Sequence, residues 1–174
     1  RTYVGDPFNV VRLFNEREVD ELFLLDIDAG PHRKGPDLEF LAKFAGECFM
    51  PVAYGGGIAT IEQCHSLNRL GFEKLVVTSR ADEPSLVASI VRDLGSQALV
   101  TSIDYFGSGA DAKTKLGVHP SVIARQRAQS GFGEIILQSI DRDGTRSGYD
   151  LATIRQLASG VDVPVIALGG GGNC

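Results

Sequence analysis

The sequence has no apolar run approaching 18 residues, so it predicts no membrane-spanning helix. Its first 25 residues have neither a basic start nor an apolar segment, so no secretory signal is predicted. A basic surplus is missing too, because the formal net charge is −5. Binding of a nucleic-acid backbone needs a concentrated basic face. We therefore expect neither a nucleic-acid partner nor a membrane partner.

Signals for metal sites and disulfides are also missing. Cys48, Cys64 and Cys174 form no C-x-x-C pair, and the three histidines are scattered. We interpret the cysteines as free thiols of a reducing compartment, which predicts a cytoplasmic protein. We expect no metal and no cofactor. The 174 residues, 43% apolar and 22% charged, suit one ordinary globular domain.

What the sequence does have is glycine, with 21 among 174 residues, about 12% against a usual level of about 7%. Between the glycine clusters, apolar strand-like runs alternate with amphipathic helical stretches. This alternation predicts a parallel sheet covered by helices, either doubly wound or closed as an eight-stranded barrel. The predicted strands are residues 21–28, 51–54, 74–78, 98–104, 134–140 and 163–168. The predicted helices are residues 7–15, 37–47, 60–70, 83–94, 120–130 and 151–158.

An internal similarity favours the barrel. The segment LFLLDIDAGPHRKGPDLEFL resembles IILQSIDRDGTRSGYDLATI, and pairing Asp26 with Asp141 gives an offset of 141 − 26 = 115 residues. A barrel of about 250 residues uses about 31 for each of its eight units, so this chain supplies five to six. We predict a (β/α)8 TIM barrel as one domain over residues 1–174, with strands two to seven present and the first and eighth units missing. Such a chain should be inactive alone and have exposed sheet edges.

Two glycine clusters each follow a strand, at residues 55–57 and at residues 169–172. Glycines let a backbone approach an anion closely, and exposed N–H groups favour phosphate. Either cluster could instead serve only as a tight turn. Because the clusters recur in both halves, we predict a long substrate with a phosphate at each end.

Acidic and basic residues stand at both ends of the predicted strands. Asp104 ends a strand, where a barrel carries its active site, so it is a candidate acid/base group. Capping of a turn is the alternative role, and four other carboxylates compete for the catalytic one: Asp26, Asp28, Asp141 and Asp143. At the opposite strand ends, Glu21, Lys74 and Glu134 are either solvated or form a salt-bridged ring that gates a small polar molecule.

Together these motifs resemble the cyclase-subunit family of imidazole glycerol phosphate synthase, the HisF family of histidine biosynthesis. The resemblance covers essentially the whole chain through GDP, DELFLLDIDA, YGGGI, GSQALVTSID, GEIILQSIDRDGTRSGYD and VPVIALGGGGN. It implies a barrel enzyme, a lyase, that condenses ammonia with a phosphoribulosyl-aminoimidazole-carboxamide nucleotide and releases imidazole glycerol phosphate and AICAR. It also implies a separate glutaminase subunit that supplies the ammonia.

The resemblance further implies roles for individual residues. Asp104 matches one of two catalytic aspartates, and the other would precede Arg1. The ammonia gate matches Glu21, Lys74 and Glu134. Substrate and phosphate contacts match Gly56, Gly57, Thr78, Ser79, Asp143, Gly144, Gly169 and Gly170.

Two departures from the family pattern are visible. The family usually has Asn-Thr or Asn-Ser where this chain has Thr78-Ser79, and Ser where it has Leu168. The chain also resembles a divergent branch linked to surface polysaccharides, so an alternative function is a synthase subunit that channels ammonia for amination of a sugar. A third, non-enzymatic hypothesis is an ammonia conduit that serves as a docking platform for the glutaminase.

Overall fold

The computed structural model describes residues 5–29 and 35–172. Cys174, the expected first-strand aspartate and residues 30–34 of the repeated segment lie outside the described residues. The chain divides into two compact units, residues 1–76 and residues 77–174. Within the described residues the longest helix has 11 residues, and no helix is long and apolar enough to cross a membrane.

The first unit is a three-stranded parallel sheet with β2 in the middle. Its elements are α1 (Pro7–Glu16), β1 (Leu22–Leu25), α2 (Leu38–Gly46), β2 (Val52–Gly55), α3 (Ile61–Arg69) and β3 (Phe72–Val76). The predicted elements are confirmed, with two corrections at their ends. β1 stops at Leu25 rather than at residue 28, because the Asp26 carboxylate accepts hydrogen bonds from the N–H groups of Asp28 and Ala29 and closes a turn. Lys74 is the third residue of its strand and not the first.

The sheet of the first unit has two different faces. Leu24 and Tyr54 line a cavity of about 350 Å3 together with Phe40 and Leu41 of α2, so this face carries the helices. Because side chains alternate along a strand, Phe23 and its register partners project from the other face.

The second unit repeats the arrangement, with β5 between β4 and β6 and all three strands parallel. Its elements are α4 (Pro84–Leu94), β4 (Leu99–Tyr105), α5 (Pro120–Gln129), β5 (Glu134–Ser139), α6 (Leu151–Ala158) and β6 (Val165–Leu168), with short 3₁₀ turns at Ser96–Ala98 and Gly109–Asp111. The six predicted strands and six predicted helices are therefore all present, and the α/β class is confirmed.

The core of the second unit lies between its sheet and its last two helices. Ile103 and Tyr105 of β4 pack there with Ile135 and Leu137 of β5 and with apolar side chains of α5 and α6. Alternation along the strands turns the intervening residues, including Asp104, to the opposite face. Most residues of β4 and β5 are buried whichever face they occupy, as is typical of a parallel sheet that is covered on both sides.

The two units repeat at an offset of 113 residues, so the offset of 115 was wrong. Asp37 caps α2 by accepting a hydrogen bond from the Phe40 N–H at 3.1 Å. Asp150 caps α6 in the same way through the Thr153 N–H at 3.3 Å. Both pairs of residues are 113 apart, which makes Asp28 the counterpart of Asp141. The counterpart of Asp26 is therefore Ser139 and not Asp141.

Candidate active site

Asp104 is the sixth of the seven residues of β4, close to the carboxyl end of that strand. In register it lies beside Gln138 of β5, which in turn lies beside Leu168 of β6. These three side chains share the face turned away from α5 and α6. Neighbouring strands are about 4.8 Å apart, so the row is about 10 Å wide. A carboxylate in this row is placed to exchange protons with a ligand above the strand ends.

Thr78 lies next to Asp104 through Ser102. The Thr78 hydroxyl oxygen accepts a hydrogen bond from the Ser102 N–H at 3.1 Å, which leaves its own proton available to a ligand. Ser102 in turn donates its hydroxyl to Asp104 Oδ1 at 3.3 Å. Thr78 and Ser79 are both exposed. One candidate phosphate contact and the candidate acid/base group are therefore connected by a single serine.

On the other side of Asp104, the loop after β5 meets the glycines after β6. A side-chain carbon on Gly169 would lie 3.4 Å from the Asp143 nitrogen, and Gly170 accepts a hydrogen bond from the Gly148 N–H at 2.8 Å. Gly144 is exposed with φ at +72°. The structure thus brings together four predicted contacts, namely Asp143, Gly144, Gly169 and Gly170.

Gly56 and Gly57 follow β2 in the first unit and lie against the turn after β1. A side-chain carbon on Gly56 would lie 2.6 Å from the Asp26 carbonyl oxygen, and one on Gly57 would lie 2.9 Å from the Ala29 carbonyl oxygen. Both residues have positive φ, at +152° and +62°. Close packing and backbone conformation therefore require glycine here whether or not a ligand binds.

The start of α3, just after this glycine loop, is closed by its own side chains. Gln63 accepts hydrogen bonds from the N–H groups of Ala59 and Thr60, and the Thr60 hydroxyl accepts one from the Gln63 N–H. This is a capping box. A phosphate bound in this unit would therefore contact the amides of the glycine loop and not the helix end.

Two of the three candidate gate residues form an ion pair in the first unit. Lys74 Nζ lies 2.9 Å from the Glu21 carboxylate, and both side chains are only about a quarter exposed. The same ammonium group lies 5.9 Å from the centre of the Phe23 ring. In the second unit, Glu134 is the first residue of β5 and is buried. It shares a face with Gln138 but lies four residues earlier, about 13 Å along the strand.

Two of the four competing carboxylates, Asp26 and Asp141, have structural roles. Asp26 closes the turn after β1, as described above, and Asp141 Oδ2 accepts a hydrogen bond from the Gly107 N–H at 2.7 Å. Sequence reasoning missed Ser102 and Gln138 as members of the site. Their signal was visible, since Ser102 precedes Asp104 by the two-residue spacing of one strand face, and Gln138 is a polar residue inside an apolar strand.

A parallel α/β fold with an acid/base carboxylate and glycine loops at the carboxyl ends of its strands is typical of enzymes that bind phosphorylated small molecules. A family model described as "Histidine biosynthesis protein", His_biosynth, matches residues 1–174. The chain belongs to this family, and the family predicted from the motifs is confirmed.

The names of individual relatives agree with this family assignment. Two are named "Putative imidazole glycerol phosphate synthase subunit": hisF2 of Pseudomonas aeruginosa is 46% identical, and HisF of Leptospira interrogans is 41% identical. Each match covers 98% of this chain, and 72% and 71% of the respective relative. "Imidazole glycerol phosphate synthase subunit HisF" of Hyphomonas neptunium is 37% identical over 97% of this chain and 70% of its own length.

Proposed function

We propose that the chain is the cyclase subunit of an imidazole glycerol phosphate synthase, a lyase. It condenses ammonia with the phosphoribulosyl-aminoimidazole-carboxamide nucleotide to give imidazole glycerol phosphate and AICAR. The names of the relatives support this step of histidine biosynthesis and do not favour the sugar-amination alternative. The observation that carries the proposal is the placement of Asp104 between Thr78 and the glycines after β6.

Asp104 is the proposed general acid/base during ammonia addition and ring closure. Its carboxylate lies in a row with Gln138 near the strand ends, where a ligand could reach both. The Ser102 hydroxyl, which donates to Asp104, fixes one carboxylate oxygen and leaves the other for proton transfer.

The proposed phosphate contacts form two groups. Gly56 and Gly57 serve one phosphate, and a second group serves the other or the substrate body: Thr78, Ser79, Asp143, Gly144, Gly169 and Gly170. The open hydroxyl of Thr78 and the nearness of Gly169 to Asp143 support the second group.

The word subunit in the relatives' names supports an assembly, and we propose a glutaminase as the partner. Glu21, Lys74 and Glu134 would serve the gate through which its ammonia enters. Each precedes the carboxyl end of its strand, and two of them already form an ion pair. A cytoplasmic location stays a prediction.

We further propose that the chain belongs to one (β/α)8 barrel domain, in which its six strands are barrel strands two to seven. Six of eight units is 75%, which agrees with the 70–72% of the relatives' length that the chain matches.

The decisive experiment measures turnover of the diphosphate substrate with ammonium chloride by the complete protein and by Asp104→Asn. We expect at least a 100-fold loss of kcat, in line with about 10²–10⁴ for a general acid/base group, with substrate binding retained. Asp162→Asn, on an exposed aspartate before β6, is the matched control and should turn over normally. Unchanged turnover by Asp104→Asn would defeat the assignment.

A further inference from the structure

The chain segment that follows Asp104 is held by a buried carboxylate from a different part of the second unit. Asp150, at the start of α6, is 3% exposed. Its Oδ2 accepts a hydrogen bond from the Tyr105 hydroxyl at 3.2 Å, and its Oδ1 accepts one from the Ser108 hydroxyl at 2.7 Å. Tyr105 is the residue directly after Asp104, and Ser108 is three residues further on.

Capping of α6 does not explain these contacts. The cap requires only the bond from the Thr153 N–H, and the Thr153 hydroxyl donates to Asp150 as well. Asp37, the counterpart 113 residues earlier, caps α2 and is exposed. Burial of Asp150 is therefore beyond what a helix cap needs, and burial of a carboxylate is costly unless its oxygens are fully paired.

Further bonds hold the same loop in place. The Gly109 N–H donates to the Thr153 hydroxyl oxygen at 2.8 Å, and the Gly107 N–H donates to Asp141 at 2.7 Å. His119 Nε2 lies 3.0 Å from the Gly109 carbonyl oxygen. The loop after β4 is thus attached at several successive positions to Asp141 after β5, to the first turn of α6 and to the residue that precedes α5.

We propose that Asp150 is a positioning residue that fixes the Asp104 carboxylate for proton transfer. Asp104 and Tyr105 project from opposite faces of the same strand end, so fixing the Tyr105 side chain fixes the backbone that carries Asp104. Proton transfer depends steeply on placement, and a shift of about 1 Å can cost about 100-fold in rate. The inference rests on the proposed acid/base role of Asp104.

The test removes the Tyr105 and Ser108 hydroxyls, which donate to Asp150, and keeps Asp150 itself as the cap of α6. Tyr105→Phe and Ser108→Ala are combined in the complete protein, and kcat and KM are measured with ammonium chloride and the diphosphate substrate. We expect kcat to fall about tenfold, as for a displacement of a few tenths of an ångström, with KM changed less than twofold. Tyr105→Phe with Ser108→Thr, which restores one hydroxyl, should recover part of the loss.

Two controls separate positioning from general weakening. Ser159→Ala removes a hydroxyl at the end of α6 that donates to the Gln156 carbonyl oxygen of its own helix turn, and it should keep the wild-type kcat. Asp37→Asn alters the counterpart cap and should do the same. Equal kcat in the double variant and the wild type, or an equal loss in Ser159→Ala, would overturn the proposal.

Hydrogen exchange keeps the inference separate from the proposed function. The amides of residues 104–109 should exchange faster in the double variant than in the wild type, while those of α4 should not change. If the wild type turned nothing over, the proposed function would fail. The exchange rates of these amides would then still test whether Asp150 anchors the segment. Unchanged exchange at the amides of residues 104–109 in the double variant would refute this anchoring.

Discussion

Gly56 and Gly169, 113 residues apart, occupy the same place in the two units. A side-chain carbon on Gly169 would lie 2.4 Å from the Ser139 carbonyl oxygen, and one on Gly56 would lie 2.6 Å from the Asp26 carbonyl oxygen. Ser139 and Asp26 are themselves 113 residues apart. Each sheet therefore ends with a glycine pressed against the backbone of the preceding strand's end, and this packing needs no ligand to explain it.

We expect Gly169→Ala to lower the free energy of unfolding by at least about 2 kcal/mol, because the residue has φ at +92° and no room for a methyl group. Urea unfolding followed by circular dichroism measures the change. Gly46→Ala is the control, since within the described residues nothing lies within 4 Å of the added carbon at the end of α2. It should be neutral or raise stability by about 0.4–1 kcal/mol, and equal stability of the two variants would contradict the argument.

The sequence was sufficient for the elements and for part of the site. The apolar run Ile135–Leu137 marks a strand that is buried on both faces, and helix starts such as Thr60 carry local capping signals. The partners of Asp150 could not be predicted, because Tyr105 and Ser108 lie 45 and 42 residues away and leave no local pattern. The predicted offset of 115 residues between the two units was wrong for a related reason. The two Asp-x-Asp pairs look alike in sequence, although Asp26 and Asp141 have different hydrogen-bond partners.

Cys64 should resist alkylation in the folded protein. Its side chain is fully buried in α3, and this burial raises the pKa of its thiol to about 11. At pH 8 only about one thiol in a thousand would be ionised, and the thiolate is the reactive form. We expect iodoacetamide to modify Cys64 only after denaturation, as detected by peptide mass spectrometry with Cys174 replaced by Ser. Rapid labelling of Cys64 in the native protein would show that α3 does not bury it.

Asp150 should contribute stability that disappears in acid. Burial alone would raise its pKa, but hydrogen bonds from Thr153, Ser108 and Tyr105 outweigh burial and leave the pKa below the ordinary value of 3.8. A lowered folded pKa means that the contribution is complete above the unfolded pKa and is lost as pH falls through the folded value. We expect Asp150→Asn to be less stable than wild type by about 1–3 kcal/mol at pH 7, with the difference shrinking below about pH 4. Urea unfolding at pH 7 and pH 3 measures both differences, and a gap that widened in acid would contradict the sign.

Arg127 makes two different contacts with the loop that carries Thr78, and we expect them to contribute unequally to the stability of the fold. Its guanidinium donates to the Ala81 carbonyl oxygen at 2.9 Å and forks onto the Asp82 carboxylate at 2.6 and 2.9 Å. Its side chain is 13% exposed, whereas that of Asp82 is 86% exposed, so solvent screens the ion pair and not the bond to the carbonyl. The guanidinium also lies 6.0 Å from the centre of the Phe132 ring.

We therefore expect Asp82→Asn to cost less than about 0.5 kcal/mol of unfolding free energy, as for other exposed pairs. Arg127→Met should cost about 1.5–3 kcal/mol, because it removes the bond to the Ala81 carbonyl and the contact with Phe132. Arg127→Lys should fall between them, since an ammonium group cannot form the same fork. The three variants are compared by urea unfolding in low and high salt. If Asp82→Asn were as damaging as Arg127→Met, the exposed ion pair would be the main contact, and the ranking argued from burial would be wrong.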